Sequence, residues 1–114
     1  MKYSAKIFIQ QNINNVIFLF RKKDRAHRSF GPAIKYVDGT DFWYQNGNKH
    51  KVGGPALECF DGAKVWYQND LRHRLDGPAV EFIYSGKNLW FINGKEYSEE
   101  KFNEYILNTK YVYS

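Results

Sequence analysis

The chain has 114 residues, 18% of them aromatic, and 17 Lys and Arg against 12 Asp and Glu give a formal net charge of +5. This length allows one domain with one modest core. The single Cys59 excludes an internal disulfide and a cysteine metal cluster, and a reducing, cytoplasmic setting is expected. The longest apolar run, Val16 to Phe20, is too short to span a membrane, so no membrane partner is expected.

The first 26 residues predict a degenerate β-hairpin that caps the chain. Ala5 to Gln10 and Val16 to Phe20 are β-prone, and Gln11 to Asn15 between them is turn-rich. Phe20 falls where later segments have Trp, as is typical of an atypical terminal unit in a repeat array.

A 23-residue repeat follows at 27–49 and 50–72, and a third copy at 73–97 has one extra residue in a hairpin loop. Each copy has a histidine, a basic residue, Gly-Pro-Ala, a β-prone strand, a turn and a return strand with Trp. Two strands per copy predict an all-β meander of about eight strands. The repeated tripeptides are Gly31-Pro32-Ala33, Gly54-Pro55-Ala56 and Gly77-Pro78-Ala79.

Alternation along the strands predicts one main buried face. The Trp row, which consists of Trp43, Trp66 and Trp90, falls on the opposite face. It shares that face with polar residues such as Lys35, Glu58 and Glu81. A sheet with aromatic residues on both faces is expected to curl into a half-barrel, with self-association into a homo-oligomer as the alternative. The predicted buried face consists of Ile34, Tyr36, Phe42, Tyr44, Leu57, Cys59, Val65, Tyr67, Val80, Phe82, Leu89 and Phe91.

The repeat pattern stops after Gly94, and residues 98–114 predict a helical cap and a tail. Ser98 is an expected N-cap, and two glutamates follow it in the first turn, where negative charge suits the helix dipole. Phe102, Tyr105 and Ile106 form one apolar stripe. The sequence predicts a short helix at about 99–108, and the tail 111–113 is expected to add a strand or lie loose.

The phrase His73-Arg74-Leu75-Asp76-Gly77-Pro78-Ala79, with Trp66-Tyr67-Gln68-Asn69 and Asp61-Gly62 before it, resembles the MORN-like tandem repeats of small bacteriophage and large-virus proteins. The segment from Trp90 to Phe102 is similar to the way in which such phage arrays close. The resemblance implies an all-β hairpin array used for binding and does not imply an enzyme. The chain departs from the pattern at Phe30 and Gly53, where the repeat has Asp, and at Asp70, where it has Gly.

Three histidines at equivalent positions suggest a metal site, but their expected spacing opposes one. Equivalent positions in successive two-stranded repeats lie roughly 9–10 Å apart, whereas zinc needs its ligand atoms at about 2 Å. Each imidazole is instead expected to bond a neighbouring turn and to pack beside the Pro or Trp of the next repeat. No metal and no cofactor are expected.

Catalytic motifs are missing from the sequence. It has no nucleophile elbow, no phosphate-binding loop and no histidine–carboxylate pattern of recognised spacing. Cys59 lies among apolar neighbours, which favours inert packing over a reactive thiol. The chain is therefore expected not to be an enzyme, although an enzyme of unrecognised type stays as an alternative.

The candidate binding residues are the Trp row and the basic and histidine residues that repeat with it. Aromatic rings stack on nucleobases and basic groups neutralise phosphates, so one hypothesis is binding of a nucleotide or nucleic acid. Trp, Tyr and Arg also dominate protein interfaces, so the first hypothesis is a protein-binding module. In a phage, its partner would be a host protein in the host cytoplasm, with a defence component as one candidate. The alternative for the Trp row is that it fills the concave side of the sheet. The candidate residues are Trp43, Trp66, Trp90, Arg28, Lys51, Arg72, Arg74, His27, His50 and His73.

Overall fold

A computed structural model describes residues 16–22 and 25–113 of the chain. The described residues form short β-strands followed by one α-helix. The elements are β1 Val16–Leu19, β2 Arg21–Lys22, β3 Arg25–Ala26, β4 Ile34–Tyr36, β5 Asp41–Phe42, β6 Tyr44–Gln45, β7 Asn48–Lys49, β8 Leu57–Glu58, β9 Lys64–Val65, β10 Tyr67–Gln68, β11 Leu71–Arg72, β12 Val80–Phe82, β13 Lys87–Ile92, β14 Lys95–Tyr97 and α1 Glu99–Tyr113.

Eight of the strands form a main sheet in the order β1-β4-β5-β8-β9-β12-β13-β14. The other strands pair as three small ribbons, β2-β3, β6-β7 and β10-β11. All the pairings are antiparallel. The predicted class of antiparallel β-hairpins with a C-terminal helix is confirmed, but the strands divide among several sheets where one was expected.

The division into sheets occurs at the Trp positions. The backbone N–H of Trp43 donates to Ala56 O in the main sheet at 2.7 Å, while Trp43 O accepts from His50 N in the ribbon region at 3.1 Å. Trp66 makes the equivalent bonds to Ala79 O and from His73 N. The return strand therefore leaves the main sheet at each of these Trp residues and continues into a ribbon.

Within the main sheet, alternation separates an apolar ladder from a polar one. Val80 lies opposite Val65 on one neighbouring strand and opposite Leu89 on the other. The apolar ladder comprises Leu19, Ile34, Phe42, Leu57, Val65, Val80 and Leu89. The polar ladder comprises Lys35, Asp41, Glu58, Lys64, Glu81 and Asn88.

The central core joins the main sheet to the last ribbon. Its buried cluster comprises Ala56, Val65, Tyr67, Ala79, Val80 and Phe91. Trp43 and Trp66 are half-buried and pack against this cluster, although alternation predicts them on the face opposite the main buried face. Strict alternation fails there because the strand changes its hydrogen-bond partners. The prediction is also wrong for Phe82, which is 40% exposed at the end of its hairpin.

The turns of the ribbon region follow the expected chemistry. Asn46 and Gly47 have φ of 52° and 84°, and Asn93 and Gly94 have 48° and 82°. Positive φ at both central positions is the type I′ turn that suits a two-residue hairpin. The extra residue expected in the third hairpin is confirmed by the register, because Val80 pairs with Leu89, nine positions later, whereas Ile34 of the first copy pairs with Phe42, eight positions later.

The C-terminal helix begins where the sequence predicts. Lys101 N donates to Ser98 Oγ at 3.2 Å, which makes Ser98 the N-cap. Phe102 is buried and Ile106 is half-buried, as the stripe predicts, but Tyr105 of the same stripe is 41% exposed. The helix ends at Tyr113, so both the predicted end near 108 and the expected strand or loose tail are wrong.

The N-terminal prediction is tested only in part. Val16–Leu19 forms a strand that pairs with Ile34–Tyr36, so the predicted second strand of the cap is confirmed. The predicted strand Ala5 to Gln10 and the turn Gln11 to Asn15 lie outside the described residues.

Candidate binding surfaces

Each repeated histidine fixes a neighbouring turn. Its Nδ1 accepts a hydrogen bond from the backbone N–H of the asparagine that begins the turn. The bonds join Asn46 to His27 at 2.9 Å, Asn69 to His50 at 3.1 Å and Asn93 to His73 at 2.9 Å. The predicted bond between imidazole and turn is confirmed, and it occupies the Nδ1 lone pair of each ring.

Burial lowers the pKa of His73 below its ordinary value. Burial also lowers the pKa of His27, with a smaller contribution from the charge of Lys22. Both effects favour the neutral ring, and only the neutral ring has an Nδ1 lone pair that can accept a hydrogen bond. The electrostatics and the hydrogen bond therefore support the same protonation state.

The basic residue after each histidine stacks on an aromatic ring eight positions earlier. Arg28 Cζ lies 4.2 Å from the centroid of the Phe20 ring, Lys51 Nζ lies 4.1 Å from Trp43 and Arg74 Cζ lies 3.9 Å from Trp66. We call these three contacts the cation–aromatic pairs. The Trp and basic residues predicted as one candidate site are thus brought together, but one face of each ring is covered by the protein's own cation.

Gly-Pro-Ala is the structural complement of these pairs. A Cβ at Gly77 would lie 2.9 Å from Arg74 Cζ, so glycine leaves room for the guanidinium. Arg74 Nη1 then donates to Pro78 O at 3.1 Å. Ala79 has no exposed surface and accepts the backbone bond from Trp66. In this tripeptide the glycine therefore leaves space for the guanidinium, the proline carbonyl accepts its hydrogen bond, and the alanine is buried in the core.

A second cation series lies on the ribbons. Lys49 Nζ lies 4.8 Å from the Tyr67 ring centroid, and Arg72 Cζ lies 5.3 Å from Phe91. The predicted site residue Arg72 therefore contacts a core aromatic ring and belongs to a different series from Arg74.

The second and third copies differ in how their cation is neutralised. Arg74 Nε lies 2.8 Å from Asp76 Oδ1, and Arg74 Nη1 lies 3.6 Å from Glu81 Oε2. In the second copy Gly53 stands at the position of Asp76, and Lys51 has no carboxylate partner among the described side chains.

Two grooves flank the third copy. The groove that we call the middle groove has a volume of about 460 Å³. It is lined by the second Gly-Pro segment and by Lys51, Trp66, Gln68, His73, Arg74, Leu75 and Asp76. The terminal groove has a volume of about 490 Å³. Its walls are Leu75, Asp76, Gly77, Trp90, Glu99, Phe102, Asn103 and Ile106.

Trp90 differs from the other members of its row. It lies inside the continuous strand β13, opposite Tyr97. It is half-buried, and no cation lies over its ring among the described side chains. The helix packs on β13 and β14 and forms the far wall of the terminal groove.

The hairpin tips carry exposed apolar side chains that the sequence analysis missed. Val37, Phe60 and Ile83 stand at equivalent positions and are 63%, 69% and 57% exposed, and Tyr84 beside them is 87% exposed. We call these four residues the hairpin-tip row. The available signal was an apolar residue recurring every 23 positions at the start of each hairpin loop.

The hairpin tips are tied to one another. Phe60 N donates to Thr40 Oγ1 of the preceding hairpin at 3.2 Å. A Cβ at Gly62 would lie 3.2 Å from Ile83 Cδ1, so the third tip packs against the second. The row is therefore held in place by contacts between hairpins.

Cys59 is half-buried and forms no disulfide. Burial raises the pKa of its thiol, and the charges of Asp61 and Asp38 add to the effect. A raised pKa lowers the thiolate fraction and with it the reactivity.

Residues 16–22 and 25–113 contain no group of three or more His, Cys, Asp or Glu side chains arranged to hold a metal ion. In the same part of the chain, no helix has the length and apolar character needed to cross a membrane. Comparison with known proteins finds no matching family, no matching curated protein and no matching solved structure.

Proposed function

We propose that this protein is a non-enzymatic binding module whose partner is another protein. The observation that carries the proposal is the hairpin-tip row, a set of large apolar side chains exposed at equivalent places along one edge. Contiguous exposed apolar surface on a protein marks an interaction site more often than scattered apolar residues do.

The geometry of the row suits a protein partner. Neighbouring tips are two strands apart, roughly 9–10 Å, so the row offers several anchors on one edge. Burial of one such side chain at an interface contributes about 2 kcal/mol. Since the tips are already tied by Phe60 N and by the Ile83 contact, binding would cost little ordering of the backbone.

The resemblance to bacteriophage and large-virus repeats extends the proposal to the setting. In that setting the partner is a host protein, the location is the host cytoplasm, and modulation of a defence component is the biological role. A curl of the main sheet belongs to the same proposal, because it would present the tips along one curved edge.

The experiment is a pull-down from a bacterial host lysate with and without nuclease, followed by mass spectrometry of proteins and small molecules. The wild type is compared with the double variant F60S/I83S and with L107S, which alters an apolar helix residue of similar exposure. We expect a stoichiometric protein that survives nuclease, is retained by L107S and is lost by F60S/I83S. A partner list that vanishes with nuclease, or equal capture by all three proteins, would contradict the proposal.

The alternative function is binding of a nucleotide or nucleic acid in the middle groove. It is favoured by Lys51, which has no carboxylate partner among the described side chains and lines the groove with Trp66 and Arg74. This alternative predicts that affinity for a single-stranded oligonucleotide falls steeply with salt. It also predicts weaker binding by K51M, with no change in K101M, whose lysine lies on the helix outside the groove.

A further inference from the structure

The cation–aromatic pairs follow one rule along the chain. Each ring receives a cation from the residue eight positions later, so Phe20 pairs with Arg28, Trp43 with Lys51 and Trp66 with Arg74. The next ring in the series is Trp90, and the residue eight positions later is Ser98. The last ring of the array therefore lacks the cation that the preceding rings have.

The terminal groove leaves space beside Trp90. It has about 490 Å³, and Phe102 and Ile106 form its apolar wall on the helix. Asp76 and Glu99 line it with carboxylates. The middle groove, by contrast, is lined by the cations of Lys51 and Arg74 and by one carboxylate, Asp76, which is paired with Arg74. The terminal groove therefore has two carboxylates and no cation in its lining, whereas the middle groove has two cations and one carboxylate, although each contains a Trp of the same row.

We propose that the terminal groove binds a basic side chain, with its ammonium or guanidinium group over the ring of Trp90 and beside Glu99. The partner protein presents this side chain, and in that respect the inference rests on the proposed function. The partner thus supplies to Trp90 the cation that, in the preceding copies, the next repeat supplies to the equivalent ring.

The charges select this ligand class. A cation gains from the face of the Trp90 ring and from the carboxylates of Glu99 and Asp76. An anion would meet both carboxylates, and a neutral apolar group would displace water from Glu99 without compensating its charge. The helix N-terminus adds a partial positive charge near Ser98, which the glutamates of the first turn offset.

The free carboxylate in this site is Glu99. Asp76 already bonds Arg74 Nε at 2.8 Å, and its side chain is 85% exposed. Glu99 has no ion-pair partner among the described side chains. We therefore expect Glu99 to contribute more than Asp76 to the recognition of the basic group.

The test is a titration of the whole protein with N-acetyl-arginine amide, monitored on the indole N–H resonances of the three tryptophans. The matched probe is N-acetyl-citrulline amide, which has a similar shape and no charge. We expect the arginine probe to shift the Trp90 resonance at millimolar concentrations and to leave Trp43 and Trp66 nearly unmoved. The citrulline probe should bind about 5- to 10-fold more weakly, since it lacks the cation.

The variant E99Q and its control E100Q separate the groove from a general charge effect. Both remove one carboxylate from the first turn of the helix, but Glu100 does not line the groove. Affinity for the arginine probe should fall about 3- to 10-fold in E99Q, as expected for loss of one close opposite charge, and stay unchanged in E100Q. Equal shifts with both probes, an unmoved Trp90 resonance or equal effects of the two variants would overturn the proposal.

The probe needs no partner, so the site and the proposed function fail separately. If arginine amide binds at Trp90 and no protein survives the pull-down, the proposed function is wrong and the cation site stands. If a partner is captured and the probe does not bind, the cation site is wrong and the binding module stands.

Discussion

The Gly-Pro-Ala segments and the hairpin tips recur with the same 23-residue step, but one set makes contacts within the protein and the other is exposed. We call the two ends of the strands where they lie the Gly-Pro-Ala edge and the hairpin-tip edge. At the Gly-Pro-Ala edge, each cation is held by the protein itself, as Arg74 is by Trp66, Pro78 O and Asp76. At the hairpin-tip edge, Phe60 and its equivalents remain exposed. The comparison teaches that a repeated residue is not by itself a ligand-binding residue, because stacking of the copies also requires repetition.

The largest expected effect tests whether the Trp row is structural. W66A should lower the free energy of unfolding by about 3 kcal/mol, since it removes a half-buried ring between the core cluster and Arg74. F60A should lower it by less than about 0.5 kcal/mol, because the ring is exposed. Urea unfolding followed by far-UV circular dichroism measures both.

Comparable losses in W66A and F60A would break the distinction between the edges. A W66A protein that unfolds as wild type does would restore the Trp row as a candidate ligand surface. A large loss in W66A makes Trp66 a core residue and removes the main support for nucleotide binding through the row.

The next effect concerns the glycine that seats the cation. A Cβ in G77A would lie 2.9 Å from Arg74 Cζ and displace a guanidinium held by hydrogen bonds. We expect a loss of about 1–2 kcal/mol from the weakened stacking and bonds. G54A is the control, since its Cβ would lie 3.2 Å from the end of the flexible Lys51 side chain. A loss in G54A as large as in G77A would show that the held guanidinium is not the cause.

Much of this edge could be predicted from the sequence. The bond between imidazole and turn, the Asn-Gly turns and the equivalence of Phe20 with Trp all followed from the 23-residue step. Sequence order could not show that Trp43 leaves the main sheet, because that depends on which strand supplies its hydrogen-bond partner. The helix was predicted too short because Tyr111-Val112-Tyr113 are β-prone, yet their backbone continues α1.

The tip row was missed because Val37, Phe60 and Ile83 each end a β-prone run, which the sequence predicts as a strand. Val37 and Phe60 each precede Asp-Gly, and only the structure places them outside the sheet. The terminal groove depends on how α1 packs against β13, and amphipathic spacing does not determine that geometry. The hairpin-tip row and the terminal groove therefore both depend on tertiary contacts that the sequence pattern does not specify.

Lowering the pH tests the hydrogen bonds of His27 and His73. Their pKa values are lowered in the folded protein from 6.5 in the unfolded chain, so the unfolded state binds more protons. Stability should therefore be full above about pH 6.5 and fall as the pH drops through the folded values. Urea unfolding from about pH 8 to about pH 5 measures this slope.

The variant H73Q should show a shallower pH slope than wild type over the same range, because one titrating ring is removed. Titration of Asp76 does not contribute to this pH slope. Its hydrogen bond to Arg74 lowers the pKa of its carboxyl below 3.8, and burial opposes this only in part, so its own loss of stability occurs at more acidic pH. A free energy of unfolding that increases as the pH falls would contradict the neutral-imidazole interpretation.

The smallest expected effect separates the components of the Arg74 contact. D76N removes the 2.8 Å ion pair, but the Asp76 side chain is 85% exposed, so water already screens the attraction. We expect a loss below about 0.5 kcal/mol, because Arg74 keeps the Trp66 ring, Pro78 O and Glu81.

Arg74→Met removes all of these contacts and should cost at least as much as G77A. If D76N were as costly as Arg74→Met, the ion pair and not the ring would hold the cation. The second copy, with Gly53 in place of Asp, would then be the weak point of the array, and urea unfolding of both variants decides between these outcomes.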